Sequence, residues 1–199
     1  AIGAQVQFDL GTYAQSTPDG IDNRMPVGAR DLGSGVNLRR GCIFLVGAFG
    51  DWTVNLAPEF GGSPDGAPTL YAANLDYTGI KPLTVTLGYF NPWLTLQDSM
   101  SSNDYLLMEQ SSIVPIAVNL AGGSARAALG MRVATDDYCV AGYLTGGTYG
   151  AQGGGLLNDQ QTGATTRIAL RLLRGEDWNL HAGASASMVF QPNQNGRNC

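Results

Sequence analysis

Arginine is the residue type in this chain best placed to do chemistry. Its planar guanidinium can donate two parallel hydrogen bonds to a phosphate or carboxylate. Arg126 and Arg132 are six residues apart, and Arg167 and Arg171 are four apart. Both spacings are even, so in an extended chain each pair shares one face. The opposite faces are apolar or nearly so: Ala127, Leu129, Met131 and Val133 in one stretch, Thr166, Ile168, Leu170 and Leu172 in the other. The four guanidiniums are therefore expected to point into a polar interior. Arg39 and Arg40 are adjacent, so only one is expected to face inward unless both sit at a rim. A row of positive charge lining a narrow aqueous space attracts anions and repels cations. The bland alternative pairs these arginines with Asp9, Glu59, Asp76 or loop carboxylates and leaves them a structural role only.

Other chemistry is less well supplied. His181 is the single histidine and shares a face with Ser185, but a hydrolase needs an orienting carboxylate and none stands at a convincing spacing. No enzyme is expected. Gly153-Gly154-Gly155 has neither strand-to-helix context nor a following Lys-Ser/Thr, so it does not read as a nucleotide loop. Cys42, Cys139 and Cys199 show no CxxC or histidine-rich spacing. Their odd number excludes a fully paired framework, and free thiols are expected. No metal and no cofactor is implied.

The elements that would position the arginines are strands. Trp178, Leu180, Ala182, Ala184, Ala186, Met188 and Phe190 alternate with Asn179, His181, Gly183, Ser185 and Ser187, and only Val189 breaks the pattern. A period of two over that length describes a strand with different solvents on its two faces. Trp178 to Phe190 spans about 40 Å at ~3.3 Å per residue. Tilted by ~40°, it projects to roughly 30 Å, near the ~25 Å apolar band of an outer-membrane barrel. Weaker versions of the pattern place strands near 2–13, 37–48, 52–60, 69–78, 83–91, 125–134, 138–146 and 161–173, making nine. Ile43-Phe44-Leu45-Val46 is apolar on both faces, which predicts a bulge or a packed inner residue. Trp52, Tyr71, Tyr77, Trp178 and Phe190 are expected as membrane-interface aromatics.

Connections alternate in length. Short turns fall at 50–51, 79–82, 136–137 and 174–176, and longer links at about 14–36, 61–68, 92–124 and 147–160. That asymmetry is the one expected of the two rims of an outer-membrane barrel. The 92–124 link contains capping residues at 98–104, a short helical pattern over 105–109, and a second apolar piece, Ile113 to Leu120. So long and apolar a loop is expected to fold into the barrel mouth and narrow it. Asp98, Asp104 and Glu109 are its candidate constriction residues, with helix capping as their simpler role.

Composition agrees with a barrel. Of 199 residues, 14% are charged and 28 are glycine; mean hydropathy is near zero, as expected when apolar outward residues alternate with polar inward ones. No run approaches the ~18 apolar residues of a spanning helix. A net charge of −5 without a basic cluster argues against nucleic-acid binding. Ala1 already begins strand-like sequence, as expected of a mature chain or a fragment of an exported protein. The competing reading is a soluble, glycine-rich β-sandwich at the cell surface that binds carbohydrate.

Several motifs carry a family resemblance. Phe60-Gly61-Gly62-Ser63-Pro64-Asp65-Gly66, Leu75-Asp76-Tyr77-Thr78-Gly79-Ile80-Lys81-Pro82, Gly88-Tyr89-Phe90-Asn91-Pro92-Trp93 and above all Leu96-Gln97-Asp98-Ser99-Met100-Ser101-Ser102-Asn103-Asp104 resemble the phosphate-selective porin O and P family over about residues 3–195. The resemblance implies a sixteen-stranded, trimeric porin of the Gram-negative outer membrane, with an inward-folded third loop and a basic path for small anions. The chain departs from the family pattern at Asn91, Gln110 and Cys42, where basic residues are common, and Lys81 is its only lysine. Nine strands and about half the family length imply the N-terminal half of such a barrel.

Overall fold

The computed structural model describes residues 1–12, 34–62, 68–107, 109–121, 123–147 and 161–191. The links at 14–36, 61–68 and 147–160 lie mostly outside these residues. So do Gly153-Gly154-Gly155, Ser63 to Gly66, Met108 and Cys199. Among the described residues there are nine strands: β1 (Ile2–Gly11), β2 (Gly35–Phe49), β3 (Trp52–Glu59), β4 (Thr69–Tyr77), β5 (Leu83–Phe90), β6 (Arg126–Ala134), β7 (Tyr138–Thr145), β8 (Thr162–Arg174) and β9 (Asn179–Gln191). They form one antiparallel sheet in which every strand pairs with its sequence neighbour. The sheet is open, with β1 and β9 as its edges.

Registry decides which side chains share a face. Leu75 lies opposite Leu87, Leu87 opposite Leu129 and Leu129 opposite Leu144, so an apolar row crosses four strands on one side. Leu129, Leu144, Ile168, Leu170 and Met188 on this face are all exposed. Among the described residues no second sheet covers it, which removes the β-sandwich reading. At the short-turn rim, Trp52 pairs with Tyr77 and their rings lie 4.7 Å apart. Trp178 and Phe190 are exposed just before β9 and near its end.

Four bulges depart from strict alternation; two lie in the β8–β9 ladder, with Phe190 and Leu172 as extra residues, and the other two redirect side chains at the inward face. In the first, Gln7 faces Arg40 and Phe8 faces Leu38, which leaves Arg39 as the extra residue. In the second, Ala57 faces Ala72 and Pro58 faces Leu70, so Tyr71 is extra. Pro58 has no N–H to give the ladder, and a bulge accommodates that loss. The expectation that Tyr71 is a membrane-interface aromatic is therefore corrected. Its ring meets Phe44 edge-on at 6.4 Å on the inward face, and it lines an inward pocket with Asn55 and Asp76. Phe44 is thus the packed inner residue of the Ile43–Val46 run.

The 92–124 link also differs in detail from its sequence reading. The described residues of 105–109 are not helical. One-turn 3-10 helices occupy Gln97–Ser99 and Ser102–Asp104, and the α-helix α1 is Ile113–Leu120. The capping residues close short turns, while the following apolar piece carries the helix. Val114 and Val118 of α1 pack with Leu94 and Ala121 in a small core.

Gly88 adopts φ 136°, and a β-carbon there would collide with the backbone of Ala73 and Asn74. Space around Gly142 is open. Gly88→Ala should therefore cost about 1–3 kcal/mol and Gly142→Ala under about 0.5 kcal/mol in urea titrations of the protein folded in lipid vesicles. Equal costs would contradict this backbone geometry.

Candidate functional site

The inward face is polar because alternation delivers every second residue to it, and the 92–124 loop lies across it. Gln5 Nε2 donates to Ser102 Oγ at 2.7 Å and to Asn103 Oδ1 at 2.9 Å, tying the loop to β1. Asn91 Nδ2 donates to Asp98 Oδ1 at 2.7 Å at the end of β5. Arg126 Nη1 donates to the Ala121 carbonyl oxygen. The Arg132 guanidinium lies 4.6 Å from the centre of the Trp93 ring, within cation–π range. The loop is thus held at β1, β2, β5 and β6.

The β2 attachment is ionic. Arg39 donates through Nε and Nη2 to the two Asp9 oxygens, both at 2.6 Å. Its Nη1 is 3.4 Å from Glu109 Oε1, and Arg40 Nη2 is 4.0 Å from Glu109 Oε2. Both arginines therefore face inward, because the bulge at Arg39 cancels the alternation that would have separated them. Glu59 shapes the same corner by accepting from the Gly41 and Gly61 backbone N–H groups at 2.6 and 2.8 Å.

Arg126, Arg132, Arg167 and Arg171 also lie inward, in unequal settings. Arg171 is tied to Asp137 of a short turn by a 2.7 Å ion pair. Among the described residues, no carboxylate lies within ion-pair distance of Arg126, Arg132 or Arg167. Arg132 lies level with Ala141, Ala141 with Arg167, and Arg167 with Ser185. The first two guanidinium stems are thus two strands, about 10 Å, apart, with buried Ala141 between them. Arg167 Nη1 and Arg126 Nε are buried without a hydrogen-bond partner. His181 lies opposite Arg171, two residues along β9 from Gly183 and four from Ser185; nothing draws it into a triad.

The three loop acids divide. Glu109 forms the ion pairs above, and Asp98 is held by Asn91, whereas Asp104 ends a 3-10 turn. Capping, their expected simpler role, falls instead to Ser101, which accepts from the Asn103 N–H, and to Thr95, whose Oγ1 accepts from the Asp98 N–H. Burial pushes the Asp98 carboxyl above its usual range, against the pull of Asn91, the Leu94 backbone, Arg126 and Arg167. Asn91, Trp93 and Asp137 escaped the sequence reading as site residues. Asn91 and Trp93 flank Pro92 in a motif visible there, but nothing in the spacing showed that they reach Asp98 and Arg132.

A single antiparallel sheet has an apolar outer face, a paired Trp52 and Tyr77 at the short-turn rim, and a polar inner face crossed by the 92–124 loop. That is the architecture of an outer-membrane porin. Comparison with known families agrees: the family described as phosphate-selective porin O and P matches residues 13–199, and the chain belongs to it. The family is one of channels of the bacterial outer membrane, not of enzymes. No curated protein matches the chain.

A carboxyl whose pKa rises on folding binds more protons folded than unfolded between its two values. Its contribution to stability then falls as pH climbs from the ordinary value through the raised one. Asp98→Asn removes that dependence. Its thermal midpoint relative to the unaltered protein should rise as pH climbs upward from about 4. A difference independent of pH would show that Asp98 is not held in a desolvated place.

Proposed function

We propose that this porin passes small anions by passive diffusion, and that Arg132 and Arg167 set its preference; Arg126, expected beside them, is buried and bound to the Ala121 carbonyl, where it holds the loop. The observation that carries this reading is the level placement of Arg132 and Arg167 across Ala141, without carboxylate partners among the described residues. Two guanidiniums about 10 Å apart can pass a phosphate or another small anion between them by exchanging forked hydrogen bonds. Carboxylates share the inward face, so the preference rests on placement rather than on total charge. Asp9 and Glu109 are taken by Arg39 and Arg40, and Asp137 by Arg171. Glu109, with Asp98 and Asp104, belongs to the loop that narrows the path.

Hydrocarbon tolerates no open sheet edge, so β1 and β9 need further strands to close the ring. The assembly proposed is the sixteen-stranded homotrimer implied by the family, with lipid against the outer apolar row.

Planar bilayers holding the intact protein across a salt gradient test the reading. The reversal potential should favour anions. Arg132→Gln with Arg167→Gln should lower the anion-to-cation permeability ratio several-fold, whereas Arg171→Gln should change it little. A cation-favouring potential in the unaltered protein, or an equal effect of all three changes, would overturn it.

A further inference from the structure

Beneath the loop, the inward face holds a cavity of about 230 Å³ lined by Asn55, Asp76, Asn91, Trp93, Arg132 and Tyr143 among others. At about 30 Å³ for a water molecule in the liquid, it accommodates a solute of several heavy atoms. Its walls carry one negative and one positive side chain. Asp76 and Arg132 do not pair with each other, and registry explains why. Asp76 lies level with Thr86 and Thr86 with Gly130, so Arg132 is two strands across and two residues along. Their backbones are about 12 Å apart at ~4.8 Å per strand and ~3.4 Å per residue.

Each group is positioned by neighbours that leave capacity for a ligand. Asp76 Oδ1 accepts from Thr86 Oγ1 at 2.6 Å and Oδ2 from Asn55 Nδ2 at 3.0 Å. An ionised carboxylate has about four acceptor sites, so half remain. Stacking on Trp93 uses the face of the Arg132 guanidinium and leaves its N–H edge to donate.

We infer that this cavity is a binding site for a small zwitterion of the α-amino-acid class. The ligand's ammonium group lies toward Asp76, and its carboxylate meets the Arg132 edge. A simple anion would sit against Asp76 and a simple cation against Arg132. A neutral polyol would leave both charges without a counter-charge. The site goes beyond the anion path, which uses Arg132 together with Arg167; here Arg132 works with Asp76.

The test is single-channel recording from the intact protein with L-serine, sorbitol or inorganic phosphate added to a fixed potassium chloride bath. L-serine should reduce the current with saturation, sorbitol at equal concentration should not, and phosphate, which shares the Arg132 edge, should raise the serine concentration needed for half-maximal block. Asp76→Asn keeps the shape and should weaken the serine effect at least tenfold; Arg132→Lys, which keeps charge but loses the fork, should weaken it less. Unsaturable block by serine, saturating block by sorbitol, or a serine effect unchanged in Asp76→Asn would each overturn the assignment. The reversal potential in the same bilayers reports the anion reading separately, so failure of one is distinguishable from failure of the other.

Discussion

Hydrocarbon offers no hydrogen bonds, and that absence governs every level of this molecule. A backbone N–H or C=O left without a partner in a bilayer costs several kcal/mol, so the chain must enter as laddered strands. Nine strands pairing in sequence order meet that demand everywhere except at the two outer edges. The same medium sorts the side chains. An arginine on the lipid face near the midplane would cost about 2–4 kcal/mol, whereas on the opposite face it meets water and other polar groups. The alternation along β6 and β8 is the trace of that difference.

The bulges at Arg39 and Tyr71 show how the fold uses departures from alternation. At Arg39 the extra residue turns two neighbouring guanidiniums to the same side, and both reach Glu109 of the loop. At Tyr71 an aromatic ring is sent to the interior, against Phe44 and beside the cavity that holds Asp76. A regular ladder would have placed one arginine and this tyrosine outside. The loop is therefore held by ionic, hydrogen-bonding and ring contacts that an ideal strand pattern does not supply.

The antiparallel nine-stranded sheet was legible in the sequence because period-two alternation is a direct record of two solvents. The residues from Trp178 to Phe190 display it almost without interruption in the sequence. The inward placement of Arg126, Arg132, Arg167 and Arg171 followed from the same periodicity. What escaped were features that depend on partners distant in sequence. Nothing near Arg39 signals a bulge opposite Gln7 and Phe8, so the Arg39–Arg40 pair could not be resolved from spacing. Pro58 hinted at ladder disruption, but its consequence falls on Tyr71 in the next strand. Within the loop, a serine-rich segment suggested a helix at 105–109. Gln5 and Gln7 of β1 instead hold Asn103 from across the sheet, Asn91 holds Asp98 locally, the residues around them close as short turns, and the helix is Ile113–Leu120.

The most direct measurement is a nitroxide scan of residues 182–187 in β9, one label at a time, with the native cysteines replaced and the intact protein in lipid vesicles. Collision with oxygen, which dissolves in hydrocarbon, should peak at 182, 184 and 186. Collision with a water-soluble nickel chelate should peak at 183, 185 and 187, in opposite phase. Nickel access at all six positions, or even-numbered labels shielded from both reagents by a covering protein layer, would contradict a sheet that separates lipid from an aqueous pore.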